Sequence, residues 1–426
     1  VSVRPFVRIL YLSREPHPSF RPDIATLFGG CLPRHGVHSD LVALQEGEAG
    51  AWPAGRAHTR QGRGRLGRLW ARWAVALDLF RLSRDPGYDA IQVRDRILGA
   101  LIGLLAARRR GLPFFYWMSL PFPDAWQDLG RGDAANSASW PQRARWKLRG
   151  ALASLILYRV VLPRADHIFV QSEAMRALLA GKGLPAEKMT PVPMGVALPE
   201  RLDAVAPADD PRLAGRKVLV YLGALERLRH PEVMIEAMVE IARREPLALL
   251  VMVGDSQHPG ERAWLEGEIE RLGLRGHALI TGWMAPAEAW RYLRAAHIGL
   301  SPFPRSRILE VASPTKVCEY LAYGVPVVAN DQPDQAALIE QTGGGLCVPL
   351  TPAGFASGVL ELLADPARAG EMARLGRARI GQLRSYDVLA ARLAEQYRRL
   401  LAPGGGLAAK SAATAVAARA GAGGPP

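Results

Sequence analysis

Hydrophobic positions along this chain fall into short continuous runs that alternate with longer stretches of helical period. Val7–Leu12, Asp40–Leu44, Ala90–Val93, Pro113–Met118 and His167–Val170 read as buried strands, with helices over Ile24–Arg34, Leu66–Ser83, Ile97–Arg110 and Glu173–Lys182 between them. A stretch rich in Pro, Ala and Asp at Asp203–Arg216 interrupts this pattern. A second series follows, with strands at Lys217–Leu222, Ala248–Val253, Ala278–Ile280, Ile298–Ser301 and Val325–Ala329. Its helices are Pro231–Arg244, Gly260–Gly273, Pro286–Ala295, Pro314–Tyr323 and Phe355–Ala364. Strands rich in Val, Ile and Leu that alternate with amphipathic helices predict an α/β protein whose parallel sheets are covered on both faces. The expectation is two Rossmann-like domains, over 1–203 and 217–384, joined by a linker at 204–216. An amphipathic helix over 385–402 is expected to cross back to the first domain, and the Gly/Ala/Pro-rich 403–426 to be disordered. Ligands of such sheets bind beyond the carboxyl ends of the strands, so two facing domains would share a cleft.

Composition narrows the setting. A chain of 426 residues, 49% of them hydrophobic, is long enough for two separate cores. Its three cysteines, Cys31, Cys318 and Cys347, are too widely spaced for a disulfide framework or a zinc knuckle, which fits a reduced compartment. No apolar run is long enough to span a bilayer, and Arg4, Arg8, Arg14 and Arg21 break up any signal-peptide core. A cytoplasmic location is expected, either free or peripheral on the cytoplasmic face of the inner membrane. The net charge is +14 and lies mostly in the first half: residues 1–203 carry 29 Lys+Arg and 17 Asp+Glu (+12), residues 204–426 carry 25 and 23 (+2). An anionic partner of the first half is implied, alongside a contribution from arginine-rich codon usage.

Candidate chemistry concentrates in IGLSPFPRSRILEVASPTKVCEYLAYGVPVVAN, Ile298–Asn330. After a strand and an irregular loop, Ser313 reads as the N-cap of a helix with Pro314 at its first position and Gly324 at its end. The free amides of Thr315, Lys316 and Val317 would favour an anion, and Lys316 would add a mobile ammonium. Glu319, one turn on, could accept from the vicinal hydroxyls of a ribose. Anion donors followed by a diol acceptor suit a nucleoside diphosphate, while an ordinary capped helix with solvated Lys and Glu explains the same residues equally well.

Four segments, in order, resemble the family 4 glycosyltransferases. They are ADHIFVQSEAMRALL with PVPMGV (Ala165–Leu179, Pro191–Val196), YLGALERLRHPEVMIEA (Tyr221–Ala237), LITGWMAPAEAWRYLRAAHIGLSP (Leu279–Pro302) and SPTKVCEYLAYGVPVVA (Ser313–Ala329). The resemblance covers nearly the whole chain. It implies the GT-B fold, a nucleotide diphosphate sugar as donor substrate, no other cofactor and retention of anomeric configuration. By this resemblance Glu319 matches the second Glu of the family's Glu–seven residues–Glu motif and binds the donor ribose. The first Glu falls at Val311, with Glu310 one place early, so the group that meets the donor sugar is not assigned. The family's phosphate-binding Arg falls at Ala224 and its Lys at Arg229, leaving Arg229, with Arg227 beside it, to neutralise the diphosphate; a surface cation explains Arg227 slightly better. Gly223 lies where the backbone approaches the phosphates, and Gly282, Trp283 and Met284 where the main chain meets the base. Lys316, Arg229 and Glu319 are the expected catalytic residues, and no metal is expected since no Asp-x-Asp motif occurs.

In the first half, Arg14, His17 and Arg21 follow the first strand, Asp95 ends QVRD, and Ser119 stands where the family often has a His; all five are acceptor-side candidates. Between Arg56 and Arg84 there are eight Arg and one acid, Asp78. On that helix Leu66, Leu69, Trp70, Trp73, Leu77 and Phe80 form a stripe, with Arg65, Arg68 and Arg72 on the opposite flank. This is either an interfacial helix for an anionic membrane or a core-facing helix with a solvated basic back. Residues 140–164 begin with a similar cationic stretch. The function expected is transfer of a hexosyl-type sugar to a glycan or lipid-linked acceptor in cell-surface or exopolysaccharide biosynthesis. The alternatives are a GT-B sugar-nucleotide epimerase and a basic nucleic-acid-binding protein. Against the second, no nucleic-acid recognition motif is present, so no nucleic-acid partner is expected.

Overall fold

A computed structural model describes residues 6–48, 50–131, 139–258 and 260–402. The chain divides into two compact units, one running to Pro193 and resuming at Tyr386, the other Met194–Ser385. The first holds seven parallel strands: β1 (Val7–Leu12), β2 (Val37–Leu44), β3 (Ala57–Arg60), β4 (Ala90–Arg94), β5 (Phe114–Met118), β6 (His167–Val170) and β7 (Met189–Pro191), in the order β3-β2-β1-β4-β5-β6-β7. The second holds six: β8 (Lys217–Leu222), β9 (Ala248–Val253), β10 (Ala278–Ile280), β11 (Ile298–Ser301), β12 (Val327–Asn330) and β13 (Gly345–Val348), in the order β10-β9-β8-β11-β12-β13. All pairings are parallel. Parallel sheets need both faces covered, which is why β5 (FFYWM) and β9 (ALLVMV) are apolar and buried throughout. The α/β expectation holds in both units.

The strand order reverses between β1 and β4 in the first sheet and between β8 and β11 in the second. At such a reversal adjacent loops leave toward opposite faces, opening a crevice at the carboxyl edge. Three strands escape the sequence pattern, β3, β7 and β13, and each lies at the edge of its sheet. An edge strand has one neighbour and one solvated side, so AHTR, MTP and GLCV carry little apolar signal. Helices over Phe122–Arg131, Pro333–Thr342 and Pro366–Arg384 were likewise not expected. The helix expected over 24–34 instead winds widely, with i→i+5 bonds, over Asp23–Cys31 before closing at Leu32–Arg34. Leu155–Val161 does the same before Leu162–Arg164. Both sites end in Leu-Pro-Arg, and Pro33 and Pro163 lack the amide that a regular turn requires, so the preceding turn dilates.

The expected linker at 204–216 is part of the second unit. Leu213 is buried in that unit's core, the Ala208 amide donates to the Arg291 carbonyl (2.9 Å), and the Tyr292 hydroxyl to Asp210 (3.0 Å). The boundary therefore falls at 193/194, before the composition break. The expected helix at 385–402 spans Tyr386–Leu401 and belongs to the first unit, where Tyr386, Leu389, Leu393 and Tyr397 join Ile9, Tyr11, Trp117 and Phe169 in one core. The expected disordered stretch 403–426 lies outside the described residues.

The helix over Gly64–Leu82 settles its two readings of orientation. Ala71, Val75, Ala76 and Leu79 face the core, whereas Leu66 (82% exposed), Leu69, Trp70 (68%), Trp73 and Leu77 face outward. Apart from the half-buried Phe80, the stripe is not core-facing. Ala71, Val75, Ala76 and Leu79 fill the space against the unit's core, and most of the large apolar side chains are left on the surface. Trp140 (75% exposed), Leu148, Leu152 and Leu155 are similarly exposed on the helix over Trp140–Ser154 and its continuation.

The Tyr397 hydroxyl donates to the buried Gln92 Oε1 (2.6 Å) and ties the last helix to β4. Tyr397→Phe leaves that oxygen unsatisfied and is expected to destabilise the first unit by about 1–3 kcal/mol. Urea unfolding followed by tryptophan fluorescence checks this, and an unchanged midpoint would contradict it.

Candidate active site

The second unit's crevice is built from the ends of β8, β9 and β11 and the helix over Thr315–Ala322. Gly223 follows β8 with φ +134°, and Gly254 follows β9 with φ +146°. A Cβ on Gly254 would lie 2.1 Å from the Gly223 carbonyl oxygen, and one on Gly223 would lie 3.2 Å from Lys316 Cε. Both positions therefore demand glycine, for backbone conformation and for close approach. Tyr320 locks the helix to the sheet: its hydroxyl accepts from the Leu222 amide (2.9 Å) and donates to the Leu300 carbonyl (3.1 Å).

Lys316 is not a mobile ammonium. Its residue is 6% exposed, and Nζ lies 5.0 Å from the Tyr221 ring centre and 5.8 Å from that of Phe303. Arg229 approaches the same Phe303 ring, with Cζ at 5.9 Å. These are cation–π distances, so two cations share one aromatic ring. Burial, with the charge of Arg229 next, lowers the Lys316 pKa to about 7; Glu319 and Glu226 oppose the shift. Arg229 Nε is buried without a hydrogen bond, 3.6 Å from the nearest Glu226 oxygen. Burial pushes the Glu319 carboxyl upward while Lys316 holds it down, and among the described residues that carboxylate makes no hydrogen bond or ion pair.

Ser313 is not the N-cap. Its hydroxyl accepts from the Met194 amide (2.9 Å) and donates to Asp334 Oδ2 (2.6 Å), and Asp334 is itself paired with the buried Arg384 (2.8 Å). A charged acceptor outcompetes the helix amides for the hydroxyl. Pro314 takes the N-cap position, and no side chain caps the amides that open the helix at Thr315. The preceding loop is held by Asn330, which accepts from the Phe303 amide (2.7 Å) and donates to its carbonyl (2.9 Å). Gln332 Nε2 points at the carbonyls of Leu309, Glu310 and Ala312. Glu310 is engaged by Arg305 (2.6 Å) and Val311 is buried.

The remaining donor-side candidates are placed as follows. Arg227 is exposed, with its Cζ over the Trp264 ring at 4.0 Å. Gly282 has φ +83° and abuts the Arg262–Asp255 ion pair, Trp283 is exposed and Met284 packs on the core. Glu226, Phe303, Gly254 and Asn330 were missed from sequence. Asn330 closes the recognised segment and Gly254 ends an apolar strand, so each had a local signal; Glu226 and Phe303 had none.

In the first unit, Asp95 and Ser119 meet: the Ser119 amide donates to Asp95 Oδ1 (2.9 Å) and its hydroxyl pairs with Oδ2. Burial raises the Asp95 carboxyl despite Arg94 and Ser119. Arg21 is committed to Asp23 (3.1 Å), which also pairs with the fully buried Arg94. His17 is packed against Trp52, with Nε2 2.9 Å from the Gly50 carbonyl, a structural placement rather than a free cleft group. Arg14 lies 3.7 Å over the Phe122 ring.

Residues 216–365 match the family described as glycosyl transferases group 1, and residues 26–195 the glycosyl transferase 4-like domain. The chain belongs to the family 4-type glycosyltransferases. Among relatives of this glycosyltransferase family chain, the D-inositol 3-phosphate glycosyltransferase of Segniliparus rotundus is 30% identical over 45% of this chain and 42% of its own length. The alpha-monoglucosyldiacylglycerol synthase of Streptococcus pneumoniae is 23% identical over 59% of this chain and 54% of its own. The chain thus spans about half the length of these two relatives. The solved structure of HepE from Anabaena in complex with UDP-glucose superposes with a TM-score of 0.64 at 16% identity, over 92% of this chain and 99% of that one, and shows the GT-B fold.

Lys316 binds fewer protons folded than unfolded between its folded pKa of about 7 and its ordinary value of 10.5, so stability contributed at this site rises with pH across that window. Lys316→Met removes the buried charge. It is expected to raise the melting temperature at pH 6, with the gain over the parent shrinking as pH approaches 10. A gain independent of pH in parallel melts would contradict the burial of a charged ammonium.

Proposed function

We propose that this protein transfers a hexosyl-type sugar from a nucleotide diphosphate sugar to a glycan or lipid-linked acceptor, with retention, in cell-surface or exopolysaccharide assembly. One observation carries the reading: Lys316 and Arg229 approach the same Phe303 ring beside Gly223 and an uncapped helix start, and the one carboxylate in ion-pair range of either among the described residues is Glu226, 3.6 Å from Arg229 Nε. A diphosphate supplies acceptor oxygens that neither cation finds within hydrogen-bond distance. Glu319, unengaged one turn on, accepts from the donor ribose. The relatives named for an inositol phosphate and for a monoglucosyldiacylglycerol, and the neighbour holding UDP-glucose, support the same direction.

The chemistry is a front-face substitution. The bond from the anomeric carbon to the departing phosphate oxygen breaks, the acceptor oxygen bonds to that carbon from the same side, and the acceptor proton passes to the departing phosphate. Lys316, Arg229 and the Thr315–Val317 amides stabilise the charge that develops on the diphosphate. These cations take the charge-neutralising role, so turnover does not depend on a divalent ion. Thermal-shift screening against UDP-, GDP- and ADP-sugars identifies the donor by its stabilisation of the fold. With that donor and excess chelator, Lys316→Ala and Arg229→Ala are each expected to cost about 2–4 kcal/mol in kcat/KM. Near-normal kinetics in both variants would remove the proposed phosphate site.

The outward stripe of Leu66, Leu69, Trp70, Trp73 and Leu77, flanked by the exposed Arg68 and Arg72, docks the protein on an anionic membrane at the cytoplasmic face. Among the described residues no helix is long and apolar enough to cross a membrane. Flotation with liposomes containing anionic lipid is expected to carry the protein at low salt, and Trp70→Glu with Trp73→Glu to abolish it. Equal flotation of parent and variant would refute this face.

A further inference from the structure

Several arginines of the first unit have a carboxylate: Arg8 has Asp40, Arg21 and Arg94 share Asp23, and Arg60 has Asp78. Arg14, Arg72, Arg96 and Arg149 have none among the described residues. They come from four separate places: the loop after β1, the helix over Gly64–Leu82, the residue before the helix over Ile97–Arg110, and the helix over Trp140–Ser154. Arg14 stacks on Phe122 at 3.7 Å and Arg149 on Trp126 at 3.9 Å, and those two rings are 6.1 Å apart, so the guanidiniums are held on neighbouring aromatic faces. Arg96 Nη1 is buried with no hydrogen-bond partner. Burial, then the charges of Arg72 and Arg14, pull the Arg96 guanidinium down to about 10. Arg149 is lowered by burial, then by the same two charges and by Arg145. Arg14 and Arg72 thus act on both of the others, and the four converge.

Four convergent cations without a counter-ion are a standing electrostatic cost, and an anion bound among them turns that cost into attraction. Arg14 and Arg96 follow β1 and β4, the strands that flank the order reversal of the first sheet, where a crevice opens. Guanidinium forks match phosphate oxygens, and four of them match a diphosphate better than a singly charged diester. Two of the helices that supply the arginines also carry the exposed apolar side chains Leu69 and Trp73, and Leu148 and Leu152, adjacent to Arg72 and Arg149. We propose that Arg14, Arg72, Arg96 and Arg149 form a binding site for the diphosphate of an acceptor whose hydrocarbon chain lies along these apolar residues. This deepens the transferase reading and rests on it for the word acceptor.

The test is binding of farnesyl diphosphate, inorganic pyrophosphate and farnesol to the full chain, measured calorimetrically with the donor site saturated by the nucleoside diphosphate found in the thermal screen. Farnesyl diphosphate is expected to bind at least tenfold more tightly than either pyrophosphate or farnesol. Arg96→Gln and the double variant Arg14→Gln with Arg149→Gln are each expected to lose at least tenfold. Both should melt no lower than the parent, because each removes unpaired charge, and both should keep nucleoside diphosphate affinity unchanged. That retained affinity separates this site from the Lys316 site, so either can fail alone. Equal binding of pyrophosphate and farnesyl diphosphate, lost in the variants, would keep the diphosphate site and overturn its lipid-borne source. No binding, binding unaffected by the substitutions, or loss accompanied by a lowered melting temperature would overturn the proposal.

Discussion

The second unit is organised around the burial of one ammonium. Lys316 runs past a glycine, ends between the rings of Tyr221 and Phe303, and meets another cation where a carboxylate would be expected. Keeping a lysine there requires that Gly223 lack a side chain, that Tyr320 fix the helix to two strands and that Asn330 fix the Phe303 backbone. Each constraint is satisfied by hydrogen bonds or close packing that leave nothing for the ammonium itself. Charge complementarity is thereby reserved for something brought from outside.

Paired arginines in the same molecule show the contrast. Arg384 is buried and pairs with Asp334, which in turn accepts from Ser313, and the three hold the loop before the Thr315–Ala322 helix. Arg94 is buried deeper still and pairs with Asp23. Those groups shape the scaffold, because truncating either partner would strand a charge in a low-dielectric interior. Lys316, Arg14 and Arg96 lie just beyond strand ends beside the reversals of strand order or on the helix that faces one, with no carboxylate in ion-pair range among the described residues, while Arg229 keeps only a 3.6 Å contact with Glu226.

The surface of the first unit follows a related division. Along Gly64–Leu82, Ala71, Val75, Ala76 and Leu79 are buried, and the tryptophans with Leu66, Leu69 and Leu77 point away. The helix thus buries one face in its own unit and leaves an apolar stripe in solvent.

Much of the architecture is settled locally. Continuous apolar runs such as Phe114–Met118 and Ala248–Val253 have no stable alternative to buried parallel strands, and the helix before Gly324 is marked by its own period and end. The sequence by itself also placed Lys316, Glu319, Gly223 and Arg229 in one candidate site, through the resemblance of their segments to a known family. What it could not decide depends on partners remote along the chain. Ser313 looks like a cap until Asp334 offers a charged acceptor; Phe303 and Glu226 acquire meaning only beside Lys316 and Arg229; the edge strands form because a neighbour supplies hydrogen bonds that their composition does not announce. The orientation of the Gly64–Leu82 helix was decided in the same way, because periodicity reports that a helix has two faces, and only packing against the sheet selects which one is buried.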